Sequence, residues 1–156
     1  MQHILFVCTG NTCRSPMAEV LLRKELQEYR AEQPKLPLEI RSAGIMAGNG
    51  FPASPDAIKV MAEKGADLSQ HRSQLLNEKL LQWADLVLTM TDNHRQHIIG
   101  QYTIRANKVY TLAGFIGAEY IDITDPFGLG AEAYRQSALQ LQLLIKQLTK
   151  KFVEMK

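Results

Sequence analysis

Cysteine is nearly absent from this chain: there are two, Cys8 and Cys13, and both fall in one short polar loop. That excludes a framework of structural disulfides between distant segments and fits a reducing compartment. Charge imbalance is missing too. Eighteen Lys and Arg stand against sixteen Asp and Glu, a formal +2, and with no basic run the electrostatic footprint of a general nucleic-acid binder is not there. Nor is there a long hydrophobic run. The apolar stretch from Ile4 to Cys8 is too short for a signal-peptide core, has no basic segment before it, and falls well below the roughly 20 residues of a spanning helix. A cytoplasmic protein with neither membrane nor nucleic-acid partners is expected. What is present is ordinary globular composition, 46% hydrophobic and 22% charged over 156 residues, which is the size of one domain taken to span 1–156.

HILFVC is a continuous β-rich apolar run of the kind buried on both faces of a sheet, and it stops abruptly at TGNT. Residues Ile4 to Val7 are therefore read as a central strand. Ser15 offers an N-cap hydroxyl and Pro16 a fixed φ for the first helical position, after which Ala18, Leu22, Leu26 and Tyr29 recur on one face of a helix ending near Tyr29. The stretch from Ala31 to Pro37 ends that helix. EIRSAG is a second strand closing at Gly44. Ser54-Pro55 looks like the cap and first residue of a helix reaching Gly65, and a short helix over Asn77 to Trp83 leads into DLVLTM, a third strand. TDNHRQHIIG is a further helix opened by a capping residue, KVYTL a fourth strand. Residues Gly114 to Gly130 form a long loop of the sort that persists for function.

The last segment places Tyr134, Ala138, Leu141, Ile145, Leu148 and Phe152 at steps of four and three, an amphipathic helix expected to pack onto the sheet. A dimeric coiled-coil seam is the alternative. The alternation of strands and helices predicts an α/β fold: an open, four-stranded, all-parallel sheet with helices on both faces and a phosphate-binding loop after the first strand. Ligands of such sheets bind at the carboxyl ends of strands. Here that position is Cys8.

A strand, five residues between Cys8 and Arg14, and a helix N-terminus make a coherent anion site. Loop N–H groups can converge on one tetrahedral oxyanion and the helix adds its positive end. The same field favours a thiolate, so Cys8 is expected to have a lowered pKa and to act as a nucleophile. Arg14 can grip two phosphate oxygens with its planar fork. The spacing alone is equally compatible with Cys8 as a buried apolar group and Arg14 as a surface charge. The buried strand before them, Gly10 for a tight turn, and Ser15-Pro16 opening a helix favour the anion site. Expulsion of a poor leaving group also needs a proton donor, and Asp125, on the long loop, suits that task. Asp122 is read as an exposed loop charge. The histidines His3, His71, His94 and His97 show no acidic partners at ligand spacing, and His94 and His97 are read as surface residues; no metal or cofactor is expected.

VCTGNTCRSPMAE, from Val7 to Glu19, resembles the signature of the low-molecular-weight protein tyrosine phosphatase family, and DPFG at Asp125 to Gly128 is similar to its distal Asp-Pro motif. The resemblance implies that Cys8 is the nucleophile forming a phosphocysteine, that Arg14 binds the phosphoryl group, and that Ser15 hydrogen-bonds the thiolate. It implies that Asp125 protonates the leaving group and then activates water. Thr9, Gly10, Asn11, Thr12, Cys13, Arg14 and Ser15 would surround the phosphate, with Phe127 beside the substrate. Asn11 would also brace the loop, supported by Ser42 and His71.

Two positions depart from the tyrosine-directed pattern. Thr12 stands where typical members carry a bulky aliphatic residue, and Phe127-Gly128 where they carry an aromatic pair; both resemble the protein arginine phosphatase branch of the family. A Thr hydroxyl on the pocket wall suits a polar guanidinium better than a phenyl ring, and Asp125 can hold guanidinium N–H groups. Phosphoarginine in proteins is the expected substrate, with phosphotyrosine as the alternative. Arsenate reductase of the thioredoxin-coupled type shares the loop but needs further cysteines, and a non-enzymatic redox or phosphate-binding module is the remaining reading. Cys8 and Cys13 are close enough in the loop for their Cα atoms to meet the approximately 4.4–6.8 Å of a disulfide, so Cys13 is expected to resolve an oxidised Cys8. Alternatively Cys13 fills the underside of the loop. The expected partners are phosphorylated proteins or peptides, and the expected state is a monomer or weak homodimer.

Overall fold

The computed structural model describes residues 2–30, 37–118 and 121–155. Four strands, β1 (Gln2–Cys8), β2 (Leu38–Gly44), β3 (Leu86–Thr89) and β4 (Val109–Thr111), form one parallel sheet in the order β2-β1-β3-β4. Among the described residues six α-helices accompany them, α1 (Arg14–Arg30), α2 (Pro55–Glu63), α3 (Glu78–Trp83), α4 (Asp92–Gln101), α5 (Leu112–Phe115) and α6 (Ala131–Glu154), with one 3-10 turn at Ala106–Lys108. The breaker segment expected after α1 falls at 31–36, outside the described residues.

β1 is central because every second residue feeds a different layer. Ile4 and Phe6 join the core built with α1, α2 and α6, while Leu5 and Val7 join the opposite one with Leu80, Leu81 and Ile98. All four are fully buried, which is what a continuous apolar strand requires. All six residues of the C-terminal stripe, Tyr134 through Phe152, are likewise buried. They lie against α1 and α2, in the same core as Ile4 and Phe6. The stripe is thus consumed within the chain rather than offered as a coiled-coil seam.

The chain runs outward from β1 to β2, then crosses back to β3 and β4. The reversal opens a crevice at the carboxyl end of β1, between the loops that follow β1 and β3. β2 closes in on this crevice through Gly44. A Cβ there would meet Thr9 O at 2.5 Å and Asn11 N at 2.9 Å, so only glycine lets the end of β2 lie against the loop after β1.

Two expected caps take other roles. Helix α1 starts at Arg14, its first turn closed by Met17 N to Cys13 O, and the Ser15 hydroxyl is turned to Cys8 and Asn11 instead. Ser54 makes no side-chain cap to α2; its hydroxyl meets the Cys13 sulfur. The cap expected at Thr91 does form, and Asn77 caps α3 by accepting from Leu80 N. The long loop also begins later than its composition predicts, since α5 carries the chain to Phe115.

Candidate active site

The loop from Thr9 to Cys13 is shaped by Asn11, which sits in the left-handed region at φ 57. Asparagine tolerates that conformation because its short amide can bond locally, and here the amide is fully used. Nδ2 donates to Ser15 Oγ and to Ser42 Oγ, both at 2.9 Å. Oδ1 accepts from Gln74 N at 3.0 Å, and the Asn11 carbonyl accepts from His71 Nε2 at 2.7 Å. Gln74 also reaches the Ser42 carbonyl through Nε2. Ser42 and His71 therefore meet the loop where the sequence puts them; Gln74 had no signal in the sequence. Asn11→Ala is expected to lower stability by about 3 kcal/mol, combining the left-handed φ with partners left unpaired in the interior. Chemical denaturation checks this: a loss below about 1 kcal/mol would remove Asn11 from the role of keystone.

Cys8 lies at the floor of this loop. Its sulfur is 2.9 Å from Ser15 Oγ and receives the Asn11 N–H at 3.3 Å. Because Asn11 Nδ2 donates to Ser15 Oγ, the Ser15 proton is free to point at the sulfur. Burial pushes the Cys8 thiol up from its ordinary value, while the Ser15 bonds, the Arg14 charge and the Asn11 N–H pull it down. The net direction is upward, against the lowered pKa expected from the sequence, because β1 carries the sulfur into a desolvated floor. The positive end of α1 adds a further lowering influence.

Cys8, Thr9, Gly10, Thr12, Cys13, Arg14, Asp125 and Phe127 line a cavity of about 310 Å³. Asn11 and Ser15 do not, although the sequence places them among the phosphate-binding residues. Both are fully buried behind the loop, and their side chains brace the wall instead of forming it. Arg14 is itself buried, with Nη1 donating to the Ile123 carbonyl at 3.1 Å and Nη2 3.6 Å from Asp125 Oδ2. One guanidinium thus spans the loop after β1 and the segment that carries Asp125. Asp125 is exposed on the opposite side of the cavity from the buried Cys8. Its Oδ1 accepts from Phe127 N at 3.1 Å, and Leu129 N closes a turn onto Pro126 O with Gly128 at φ 76. A second aromatic at 128 would be strained in that turn.

Cys13 faces away from this turn. Its sulfur meets Ser54 Oγ and Tyr134 Oη, each at 3.1 Å, and both cysteines are free.

His94 is a correction to the sequence reading. Far from being a surface residue, it is only 4% exposed, because α4 begins at the carboxyl end of β3 and turns it inward. Its Nδ1 accepts from Thr91 N, so Nε2 carries the proton and donates to Thr9 Oγ1 at 2.9 Å. Burial, then the Arg14 charge, lowers its pKa to about 4, leaving it neutral at pH 7. The capping-box geometry, with a histidine at the third helical position, was the only clue the sequence offered. Asp122 is exposed as expected, yet its Oδ1 accepts from Asp92 N at 3.0 Å. Among the described residues no group of three or more His, Cys, Asp or Glu side chains is arranged to hold a metal ion, and no helix is long and apolar enough to cross a membrane.

A cysteine and an arginine sharing one strand-loop-helix anion site, with an aspartate across the cavity, define a cysteine-dependent phosphatase of low molecular weight. The family model described as low molecular weight phosphotyrosine protein phosphatase matches residues 3–156, and the chain belongs to that family. A protein-arginine-phosphatase of Bacillus subtilis (strain 168) is 42% identical over 147 residues, 94% of either chain. The probable low molecular weight protein-tyrosine-phosphatase EpsP of Ralstonia nicotianae is 38% identical, across 91% of this chain and 90% of its own. The solved structure of the YwlE arginine phosphatase from Geobacillus stearothermophilus matches with a TM-score of 0.90 at 40% identity, covering 99% of this chain and 95% of that one.

Proposed function

We propose that this chain is a cytoplasmic protein-arginine phosphatase, a single catalytic domain that works through a phosphocysteine and needs no cofactor. Cys8 Sγ attacks phosphorus in line as the P–N bond to the guanidino group breaks. Arg14 and the loop N–H groups hold the equatorial oxygens, the place where charge spreads during phosphoryl transfer. Asp125 gives its proton to the departing nitrogen. Water then attacks the phosphocysteine, Asp125 takes a proton from it, and phosphate leaves with Cys8 restored as thiolate beside Ser15. Phosphorylated proteins or peptides are the partners, met by a monomer or weak homodimer.

The observation that carries the substrate assignment is Thr12 in the cavity wall, on the same cavity as Asp125. A guanidino group brings N–H donors that a phenyl ring lacks, and the Thr12 hydroxyl and the carbonyl oxygen of the protonated Asp125 carboxyl are acceptors for them. The named arginine phosphatase relatives agree with this choice. Phosphotyrosine remains the second reading, favoured by the exposed ring of Phe127 at the cavity mouth and by the tyrosine phosphatase names among the relatives.

Thr12→Ile separates the two. Both side chains are β-branched, so the loop keeps its shape while a hydroxyl becomes apolar surface. Guanidinium N–H groups then lose an acceptor, and kcat/KM for phosphoarginine peptides is expected to fall about 10- to 100-fold. Phosphotyrosine turnover holds or rises. Equal changes for both peptides would mean that Thr12 is not the selector. Redox control belongs to the same proposal: a peroxide oxidises the Cys8 thiolate to the sulfenic acid, and attack by the Cys13 thiol then forms the disulfide and releases water, which requires the Cys13 sulfur to leave Ser54 and Tyr134.

A further inference from the structure

Residues 122–124 cross the space between the end of β3 and helix α6 in an extended run whose hydrogen bonds alternate sides. On one side Ile123 N donates to Met90 O at 3.0 Å, and the Ile123 carbonyl accepts from Arg14 Nη1 at 3.1 Å. On the other side Gln140 Nε2 donates to Asp122 O at 3.1 Å, and Gln140 Oε1 accepts from Thr124 N at 3.4 Å. The amide of Gln140 thus pairs with the run as the peptide of a neighbouring strand would. One turn earlier on α6, the buried Ser137 Oγ donates to the Thr124 carbonyl at 2.7 Å. That carbonyl belongs to the same rigid peptide plane as Asp125 N.

Beyond this point the segment is held by the buried Pro126 and by the Arg14–Asp125 contact rather than by backbone hydrogen bonds to other elements. Among the described residues, no backbone hydrogen bond from Asp125 to Leu129 leaves the segment; Phe127 N and Leu129 N both bond within it. Ser137 and Gln140 are therefore the last fixed contacts before the Asp125 side chain projects over the cavity. We infer that they are positioning residues for Asp125, holding the peptide plane from which its carboxyl reaches the leaving atom. The inference rests on the proposed acid role of Asp125. Neither residue lines the cavity, so neither has a direct part in phosphate binding.

A positioning role predicts a specific kinetic pattern. Ser137→Ala and, separately, Gln140→Glu, which keeps an acceptor but loses the donor to Asp122, would be assayed on aryl phosphates of graded leaving-group pKa. For the poorest leaving groups kcat/KM, which reports the transfer to Cys8 and not the later hydrolysis, is expected to fall about 10-fold, less than the 10²-fold of a full 1 Å misplacement, while nitrophenyl phosphates change less than about twofold. Ser137→Thr, which keeps the hydroxyl, restores the rate. In an Asp125→Asn background Ser137→Ala should add nothing, since both act on one proton transfer. An equal loss across the series, or an undiminished effect in Asp125→Asn, would overturn the positioning role while leaving the acid role intact. A flat leaving-group response of Asp125→Asn alone would instead remove the acid role, and the inference with it.

Discussion

Cys8→Ser is expected to reduce phosphopeptide turnover by at least about 10⁴-fold, because a serine hydroxyl at neutral pH is a far weaker nucleophile than a thiolate. The site gives the oxygen no substitute activation. Ser15 and Asn11 hydrogen-bond to the Cys8 sulfur and Arg14 acts on it through its charge, and none of the three is a general base for a hydroxyl. Binding follows a different course. Arg14, the loop N–H groups and the α1 terminus remain, so inorganic phosphate or vanadate should still bind, measured by calorimetry on the variant. Asn11 and Ser15 keep their bonds to Ser42, Gln74 and each other, so the loop is expected to survive the exchange. Turnover within about tenfold of wild type would end the covalent mechanism.

Asp125→Asn is the second large effect. General acid-base assistance is worth about 10²–10⁴-fold, and the amide cannot supply the proton, so the loss falls on substrates whose leaving groups need one. Phosphopeptide kcat/KM, which reports the transfer to Cys8, is expected to drop within that range, while that of activated aryl phosphates falls least. The change should sit in kcat rather than KM. Asp125 stands 3.6 Å from Arg14 Nη2, and replacing the carboxylate leaves Arg14 with one competitor fewer for the phosphate dianion. Substrate affinity therefore holds or improves. Equal losses for activated and unactivated substrates would take Asp125 out of the acid role.

Much of this site is legible in the chain because it is local in sequence. Ile4 to Val7 read as a buried strand, CTGNTCRS as an anion loop, and Asn11 as a residue able to take positive φ, all from neighbours within a dozen positions. The C-terminal stripe from Tyr134 to Phe152 is legible for the same reason. What was not legible depends on partners far along the chain. Ser15 and Ser54 each precede a proline and have every local feature of an N-cap; both hydroxyls are claimed by cysteine sulfurs that local propensity cannot see. His94 reads as a surface residue of a polar helix, and only the position of α4 over the crevice turns it onto Thr9. Gln74 acts through its own backbone N–H and the Ser42 carbonyl of β2, and Ser137 and Gln140 through backbone groups of residues 122–124, none of which leaves a side-chain pattern to detect.

The brace around Asn11 has a consequence for how the chain folds. The chemically reactive segment is complete by Ser15, yet its shape is closed by Ser42, His71, Gln74 and His94, at sequence separations of 31, 60, 63 and 85 residues. Contacts of that range form late, after loop-closure entropy has been met by the sheet. A chain still in synthesis or partly refolded therefore carries Cys8 without the hydrogen bonds that prepare it for attack. Competence to attack a bound phosphate is acquired together with the native topology, because the oxyanion-binding N–H groups and Arg14 are brought over the sulfur only then, and the motif alone does not confer it.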